Sequence, residues 1–428
     1  MNTTKRNLLY LLALVLLAIP VIEWARVSYL SVQWPTILYD ASRLLAVLGF
    51  VVLFFQYVLA SRVRAFESSL GLDRLIHVHR KTGIAALALL FLHGVLYSSY
   101  ELVRGFLTLG WQKLLGIGAL VLLIAVAGAA ILWKSLGWRY ETWKRVHYAS
   151  YVILPLGFLH ALLLGTTVSS SPVTRIYFIV LLALYVLVVA SRIVKRLQVR
   201  ANPYTVSDVR RESHDVVSLR FNGPVPAFAP GQFMIVNLFR GSGYSESHPY
   251  TISSGPDEEH LRLSAKGIGD FSRSLAEVAP GTRALIEAPY GVFSYDNAPG
   301  DSLVFIAGGI GITPFLGQLS ALRSRGEQRK VRLIWGNKTR DDIAFADELD
   351  AAGEYLDDFA LVHVLSNDEW DGETGFVDES IVRKYVDDVD RAQFFVCGPP
   401  IMMEKLIPTL RDMGVSDARL HYERFALG

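Results

Sequence analysis

The sequence predicts six membrane-crossing helices followed by a water-soluble module in two parts, a small antiparallel β-barrel and then an α/β domain. Two observations carry this reading. Six apolar runs, each long enough to cross about 30 Å of hydrocarbon, fill the first half of the 428-residue chain. Charge divides the chain at the same place: residues 1–197 hold 19 Lys and Arg against 6 Asp and Glu, leaving 23 against 34 for residues 198–428. A net charge of +2 thus conceals a basic, apolar front half and an acidic back half. The one cysteine, Cys397, excludes an intrachain disulfide framework and suits a reducing compartment for the back half. No nucleic-acid partner and no obligatory protein partner is expected.

The apolar runs lie near 7–25, 37–60, 77–99, 111–133, 147–166 and 173–194. The first follows Lys5 and Arg6 as a signal peptide would. It lacks a small-x-small cleavage site before Glu23 and Trp24, and five further runs follow, so a retained helix is expected. Loop charges set the direction. Lys5 and Arg6, then Arg62, Arg64, Arg74, Arg80 and Lys81, then Lys134, Arg139, Lys144 and Arg145, then Arg192, Lys195 and Arg196 share one side. The other side has Arg26, Arg104, Lys113 and Arg175. The positive-inside bias places both termini and residues 198–428 in the cytosol, with the spans in the cell membrane.

Ionisable rings inside such runs are costly and point to a task. His79 and His93 lie in the third run, His147 and His160 in the fifth. Both runs go from cytosol outward, so the earlier histidine of each is the inner one. His79 and His93 are fourteen apart, about 21 Å of rise and roughly 40° short of whole turns, hence on one face. His77 falls nearly opposite and is the poorer ligand. His147 and His160 are thirteen apart, which an ideal helix turns roughly 140° away from each other. Pro155 stands between them, and a kink or unwinding is expected there. One such ring is as well explained by a hydrogen bond between packed helices; four rings at two depths are not. Zinc would need acidic or thiolate partners that these runs lack. Two bis-histidine haems suit the pattern. Gly83, Gly94 and Gly157 are expected to let flat macrocycles approach. Arg80, Lys81, Lys144 and Arg145 either answer haem propionates or simply follow the positive-inside bias. Arg43, inside the second run, needs an anionic partner such as an outer propionate, or else snorkels to the interface.

Beyond residue 200, strand-like stretches at Val216–Phe221, Gln232–Leu238, Leu261–Ala265 and Arg283–Glu287 alternate with Gly and Pro punctuation and predict the barrel. Its segment His248-Pro249-Tyr250-Thr251-Ile252-Ser253 offers a ring to stack on a flat flavin and a hydroxyl for a ring nitrogen; an ordinary strand with a chance tyrosine reads the same. Gly269-Asp270-Phe271-Ser272 opens a helix, as a pyrophosphate cradle or as a plain cap by Ser272. A buried strand at Leu303–Ala307 runs into Gly308-Gly309-Ile310-Gly311-Ile312-Thr313-Pro314-Phe315 and a helix, the setting in which glycines bring amides close to phosphate. Strands at Val331–Trp335, Ala360–Leu365 and Gln393–Val396 follow, the last leading into Cys397-Gly398-Pro399-Pro400.

The 248–253 segment, the 308–315 turn, Cys397-Gly398-Pro399 and the two histidine pairs together resemble the superfamily of transmembrane ferric reductases and NADPH oxidases, in its compact bacterial form, over nearly the whole chain. The resemblance implies a six-helix transmembrane haem bundle (1–197) followed by a ferredoxin-reductase-like module, with an FAD-binding β-barrel (198–298) and an NAD(P)-binding α/β domain (299–428). It implies that His248, Pro249, Tyr250, Thr251 and Ser253 bind FAD and that Ser272 supports its pyrophosphate. Gly308, Gly309, Gly311, Thr313, Gly398 and Pro399 would meet the nicotinamide cofactor. Cys397 would lie near the nicotinamide ring, and Phe425 would cover the flavin. Arg43 matches an arginine that such oxidases keep near the outer haem. Where they often place a histidine four positions past the outer ligand, Tyr97 stands here.

The expected activity is electron transfer from cytosolic NAD(P)H through FAD and two b-type haems to an outer acceptor. Oxygen, giving superoxide, is preferred; a ferric chelate, a quinone or a periplasmic redox protein are the alternatives. A membrane haem-binding scaffold is the non-enzymatic one. Asn337, Lys338, Thr339 and Arg340 suit a 2′-phosphate, favouring NADPH with tolerance for NADH; Asp341 and Asp342 suit a helix start.

Overall fold

The structure is a computed structural model that describes residues 3–28, 34–61, 66 and 70–423. Arg62, Arg64 and Phe425 lie outside the described residues, as do the side chains of Lys5 and Arg6. Two compact units divide near residue 195, Asn2–Lys195 and Arg196–Gly428.

In the first unit, six helices are long and apolar enough to cross a membrane: Asn7–Val27, Thr36–Ala60, Arg74–Val103, Trp111–Leu132, Tyr140–Leu164 and Pro172–Ala201. Phe50, Val51 and Phe54 of the second span, Leu123 of the fourth, Ile153, Leu154 and Phe158 of the fifth and Phe178 and Leu181 of the sixth form the buried core. The second and third spans pack so closely that a Cβ on Gly49 would come within 2.8 Å of Leu90. Hydroxyl and indole groups reach across helices to main-chain carbonyls, as from Tyr177 to Leu16 (2.7 Å) and from Trp24 to Asp40 (2.9 Å).

The fifth span is two helices, Tyr140–Tyr148 and Ser150–Leu164, broken at Ala149. The distortion expected at Pro155 therefore falls six residues earlier, with Pro155 inside the second helix. Around the break, Ala149 bonds Val146 (3.0 Å) and Val152 bonds Ala149 (3.1 Å), each three residues back. Such a tightened turn advances about 120° per residue in place of about 100°, which swings His160 back toward the face of His147. Proline has no N–H for the Tyr151 carbonyl four residues earlier. The Tyr185 hydroxyl donates to it at 2.6 Å, and the Tyr57 hydroxyl donates to the adjacent Ser150 carbonyl at 2.5 Å.

The second unit holds two sheets. The first is antiparallel, in the order β4-β3-β6-β1-β2-β5, from β1 (Tyr204–Arg211), β2 (Val216–Asn222), β3 (Phe233–Leu238), β4 (His248–Thr251), β5 (Leu261–Lys266) and β6 (Arg283–Tyr290). A bridge between Ile252 and Leu263 brings its edges together, so the sheet curls on a core that includes Leu219, Phe221, Met234 and Ile286. Strand β1 was not expected: its sequence YTVSDVRR is polar and carries a register shift between Val206 and Asp208. The second sheet is parallel, in the order β10-β9-β8-β7-β11-β12, from β7 (Ser302–Gly308), β8 (Lys330–Asn337), β9 (Phe359–Leu365), β10 (Glu373–Thr374), β11 (Gln393–Cys397) and β12 (Leu420–Glu423). Buried on both faces, β7 reads as a continuous apolar run. The chain winds outward from β7 through β8 and β9, then returns to place β11 on β7's other side. Between β7 and β11 lies the switch point at which open α/β sheets bind their ligands.

Removing the hydroxyl that answers the proline is expected to lower stability. Tyr185→Phe should cost about 0.6–1.5 kcal/mol, read as a lower unfolding midpoint of the detergent-solubilised protein; an unchanged midpoint would show that the bond contributes nothing.

Candidate functional site

The four histidines of the bundle come together as two pairs. The rings of His79 and His147 have centroids 6.2 Å apart, and those of His93 and His160 6.4 Å, with the planes crossed at 66° and 61°. An iron held between two imidazoles at about 2.0–2.1 Å per bond, each centroid roughly 1.1 Å behind its nitrogen, requires about 6.3 Å. In the second pair, Nδ1 of His93 lies 2.9 Å from the Ser42 carbonyl and Nδ1 of His160 lies 3.0 Å from the Gln112 carbonyl. A carbonyl only accepts, so both Nδ1 atoms carry the proton and both Nε2 atoms keep a free lone pair, the tautomer that binds metal. Nδ1 of His147 is buried with no hydrogen-bond partner among the described residues. These residues fit axial ligation of two haems. Two imidazoles per site fall short of a zinc tetrahedron. His77 is exposed and takes no part.

The three glycines expected to admit macrocycles each face a side chain of the bundle. Gly83 faces Gln56, Gly94 faces Leu120 and Gly157 faces Phe50. The glycine that matters is Gly116 on the fourth span, where a Cβ would come within 2.7 Å of His160 Nδ1. Arg43 finds one anion on its own helix, while its Nη2 is buried with no hydrogen-bond partner among the described residues. Nη1 pairs with Asp40 at 3.2 Å and Nε donates to Thr167 at 2.9 Å, with both charged side chains about nine-tenths buried. Nearby, Lys113 pairs with the buried Glu101 and sits 5.2 Å from the ring centre of Tyr97, itself 6.3 Å from that of His93. Neither carboxylate was singled out from sequence: Asp40 has the i,i+3 helical spacing to Arg43 as a signal, while Glu101 meets Lys113 across helices and has none. Arg80, Lys81 and Arg145 are exposed.

In the barrel, β4 is an edge strand, the place where Pro249 is tolerated. His248 stacks on Phe271 at 3.7 Å and 15°, with Tyr250 6.4 Å from the same ring. Burial pushes the Tyr250 phenol up to about 12, so it stays protonated. Thr251 is buried beside it. Ser253 is not with them: its hydroxyl bonds the Arg262 carbonyl (3.1 Å) and Ser264 (2.9 Å) in the barrel interior. Ser272 is the third residue of its helix rather than the cap. Its oxygen accepts from the Ile268 and Gly269 amides at 3.0 and 2.9 Å, closing the turn on itself. A cavity of about 190 Å³ beside it is lined by Arg211, Ser213, His214 and Arg273 among others.

At the switch point the glycines of β7 meet the turn after β11. A Cβ on Gly308 would reach Pro399 at 2.8 Å, and one on Gly311 would reach the Gly398 Cα at 3.0 Å. Gly309 has φ +51° with open space around it, and the Trp335 indole donates to its carbonyl at 2.8 Å. Gly309 thus has open space beside it, while Gly308 and Gly311 pack closely against the turn after β11. Thr313 is buried and donates to Ile310 at 3.1 Å. Cys397 is fully buried, and burial, with Glu423 adding, pushes its thiol up. Arg340 lies over Trp370 at 5.5 Å, while Asp342 caps Thr339, as a turn start requires.

Three family matches cover the chain in series: "Ferric reductase like transmembrane component" over residues 45–158, "FAD-binding domain" over 201–294 and "Oxidoreductase NAD-binding domain" over 305–406. Among curated relatives, the chain is 32% identical to Sulfhydrogenase 2 subunit gamma of Pyrococcus furiosus over 220 residues, which are 45% of this chain and 70% of that one. It is 26% identical to the reductase component of propane 2-monooxygenase of Rhodococcus jostii over 230 residues, 51% of this chain and 62% of that one. Several relatives are thus spanned over less than two thirds of their length. Flavohemoglobin of Malassezia yamatoensis superposes with a TM-score of 0.50 at 18% identity, over 91% of this chain and 96% of that one, a likeness of fold alone. Fold and matches define a multi-pass membrane oxidoreductase with FAD- and nicotinamide-binding domains. The chain belongs to the ferric reductase/NADPH oxidase superfamily.

Gly116→Ala should turn the His160 ring off the Gln112 carbonyl. The purified variant is expected to hold one haem per chain with its FAD retained, by pyridine haemochromogen and flavin assays; two haems would contradict this.

Proposed function

We propose that this protein carries electrons across the cell membrane from cytosolic NAD(P)H to an acceptor on the far side, with both termini and the soluble module in the cytosol. The domains run 1–197, 198–298 and 299–428. The matched spacing of the two imidazole pairs is the observation that supports this reading most. His79 with His147 would hold the inner haem, and His93 with His160 the outer one. Ser42 and Gln112 fix the outer rings through their carbonyls. His248, Tyr250 and Thr251 would hold the flavin, with Pro249 shaping the strand. Gly309 and Arg340 would take the nicotinamide nucleotide, and Gly308, Gly311, Thr313, Gly398 and Pro399 shape the turns around it. When bound, FAD accepts an electron pair and haem accepts single electrons, which joins a two-electron donor to a one-electron acceptor.

Charge near the outer pair favours oxygen over an anionic ferric chelate. Arg43 is neutralised by Asp40 and Lys113 by Glu101, so these cations offer little net attraction to steer an anion. Three tyrosines, Tyr39, Tyr97 and Tyr100, with ring centres 5.0–6.4 Å apart, crowd the same end and suit a small neutral acceptor. In the balanced reaction one NAD(P)H reduces two O2 to two superoxide ions and releases one proton with NAD(P)+.

The test is turnover of purified protein loaded with FAD and haem. NADPH, in preference to NADH, should drive reduction of a dismutase-sensitive dye in air. Reduction of a ferric chelate with no superoxide would assign the chelate as acceptor instead, and haem that NADPH fails to reduce anaerobically would indicate a scaffold.

A further inference from the structure

The flavin strand and the nucleotide turn belong to different sheets, yet one ion pair, between a buried guanidinium and a carboxylate that is 39% exposed, ties them together. Arg262 on β5 donates through both terminal nitrogens to the carboxylate of Glu348, at 2.7 Å each, in the bidentate geometry that fixes orientation as well as distance. Its remaining bonds go to Ser253, from Nη2 to the main-chain carbonyl at 2.6 Å and from Nε to the hydroxyl at 3.3 Å. Ser253 lies two residues past Thr251, on the segment that leaves β4. The guanidinium is 9% exposed.

Glu348 belongs to the short helix Ala346–Asp350, and the residue before that helix is Phe345. Phe345 has φ +60°, the one non-glycine in the left-handed region among the described residues. Such a conformation is strained for a residue with a side chain and persists only where its surroundings enforce it. Its ring lies 5.9 Å from the Arg262 guanidinium. With Trp335, Lys266 and Ile310 it lines a small cavity beneath Gly309. Trp335 in turn bonds the Gly309 carbonyl. A continuous set of contacts therefore runs from Ser253 through Arg262, Glu348 and Phe345 to the Gly309 turn. A second contact fixes the other side, where Gly317 packs so tightly that a Cβ would meet the Ser254 carbonyl at 2.8 Å.

We propose that Arg262 and Glu348 are positioning residues that set the nucleotide turn against the flavin strand, so that a donor held at Gly309 is aligned with a flavin held at Tyr250 and Thr251. The proposal rests on the function given above for this module. Simple glue between domains would account for an ion pair; it would not account for a strained Phe345 between that pair and the turn.

Glu348→Gln keeps the shape, removes the carboxylate charge and leaves one amide oxygen to accept from the guanidinium in place of the fork. Misplacement by about 1 Å costs roughly 100-fold in rate, and a partial loss of alignment should cost about tenfold. In anaerobic stopped-flow of the full chain carrying FAD, the maximal rate of flavin reduction by NADPH should fall about tenfold while the half-saturating NADPH concentration shifts by less than about twofold. Arg262→Lys keeps the charge, loses the fork and should slow reduction likewise; it supplies the reading if E348Q does not retain FAD. Full FAD content with a wild-type maximal rate overturns the proposal, and so does loss of FAD from both variants, which would make the pair purely structural. Wild-type flavin that neither NADPH nor NADH reduces would instead refute the function on which the proposal rests.

Discussion

Two pairs of imidazoles facing each other inside an apolar bundle are the constraint to which the other features of the membrane unit answer. Rings in hydrocarbon are costly without partners, and the proposed function asks each to present one nitrogen inward at a fixed separation from its opposite. Centroid distances of 6.2 and 6.4 Å meet that demand at both depths. The main-chain carbonyls of Ser42 and Gln112 settle the tautomer of the second pair. Those acceptors come from the second and fourth spans, so four helices together build what the third and fifth present.

Building it requires a break in a helix, and the bundle compensates locally. Thirteen residues separate His147 from His160, a spacing that a regular helix would turn apart. The tightened turn at Ala149 recovers the register, Pro155 leaves a carbonyl without its usual donor, and the Tyr57 and Tyr185 hydroxyls reach in from neighbouring spans. Polar groups displaced for the sake of the site are thus satisfied by side chains whose own hydroxyls would otherwise be costly in the same medium. The soluble unit follows a similar economy. Its strained residue, Phe345, lines a small cavity with Gly309, and the Arg262–Glu348 pair lies beside it.

Much of this was legible in the sequence. The six spans, both parallel and antiparallel sheets and the membership of each histidine pair follow from apolar run length, loop charge and spacing. Strand β1 was missed because a largely polar, exposed strand with a bulge shows no alternation, and β12 because four residues are too few to register. The site was less legible where residues act through neighbours close only in space. Glu101 neutralises Lys113 through a pairing between helices that no motif announces, whereas Asp40 stands three residues before Arg43, a helical spacing that the sequence did offer. Gly116 matters because of a ring contributed by another helix, while Gly83, Gly94 and Gly157, close to the ligands in sequence, face elsewhere. Ser253 and Ser272 occur in suggestive segments, yet their hydroxyls serve the fold. Motif position conveys which segment is involved; hydrogen-bond satisfaction decides which of its atoms remain available.

The most direct measurement is the number and ligation of haems in the purified wild-type chain, by iron and pyridine haemochromogen analysis with electron paramagnetic resonance. The account predicts two low-spin, six-coordinate haems per chain, each with crossed imidazole planes. A single haem, none, or a high-spin five-coordinate signal at either site would contradict it.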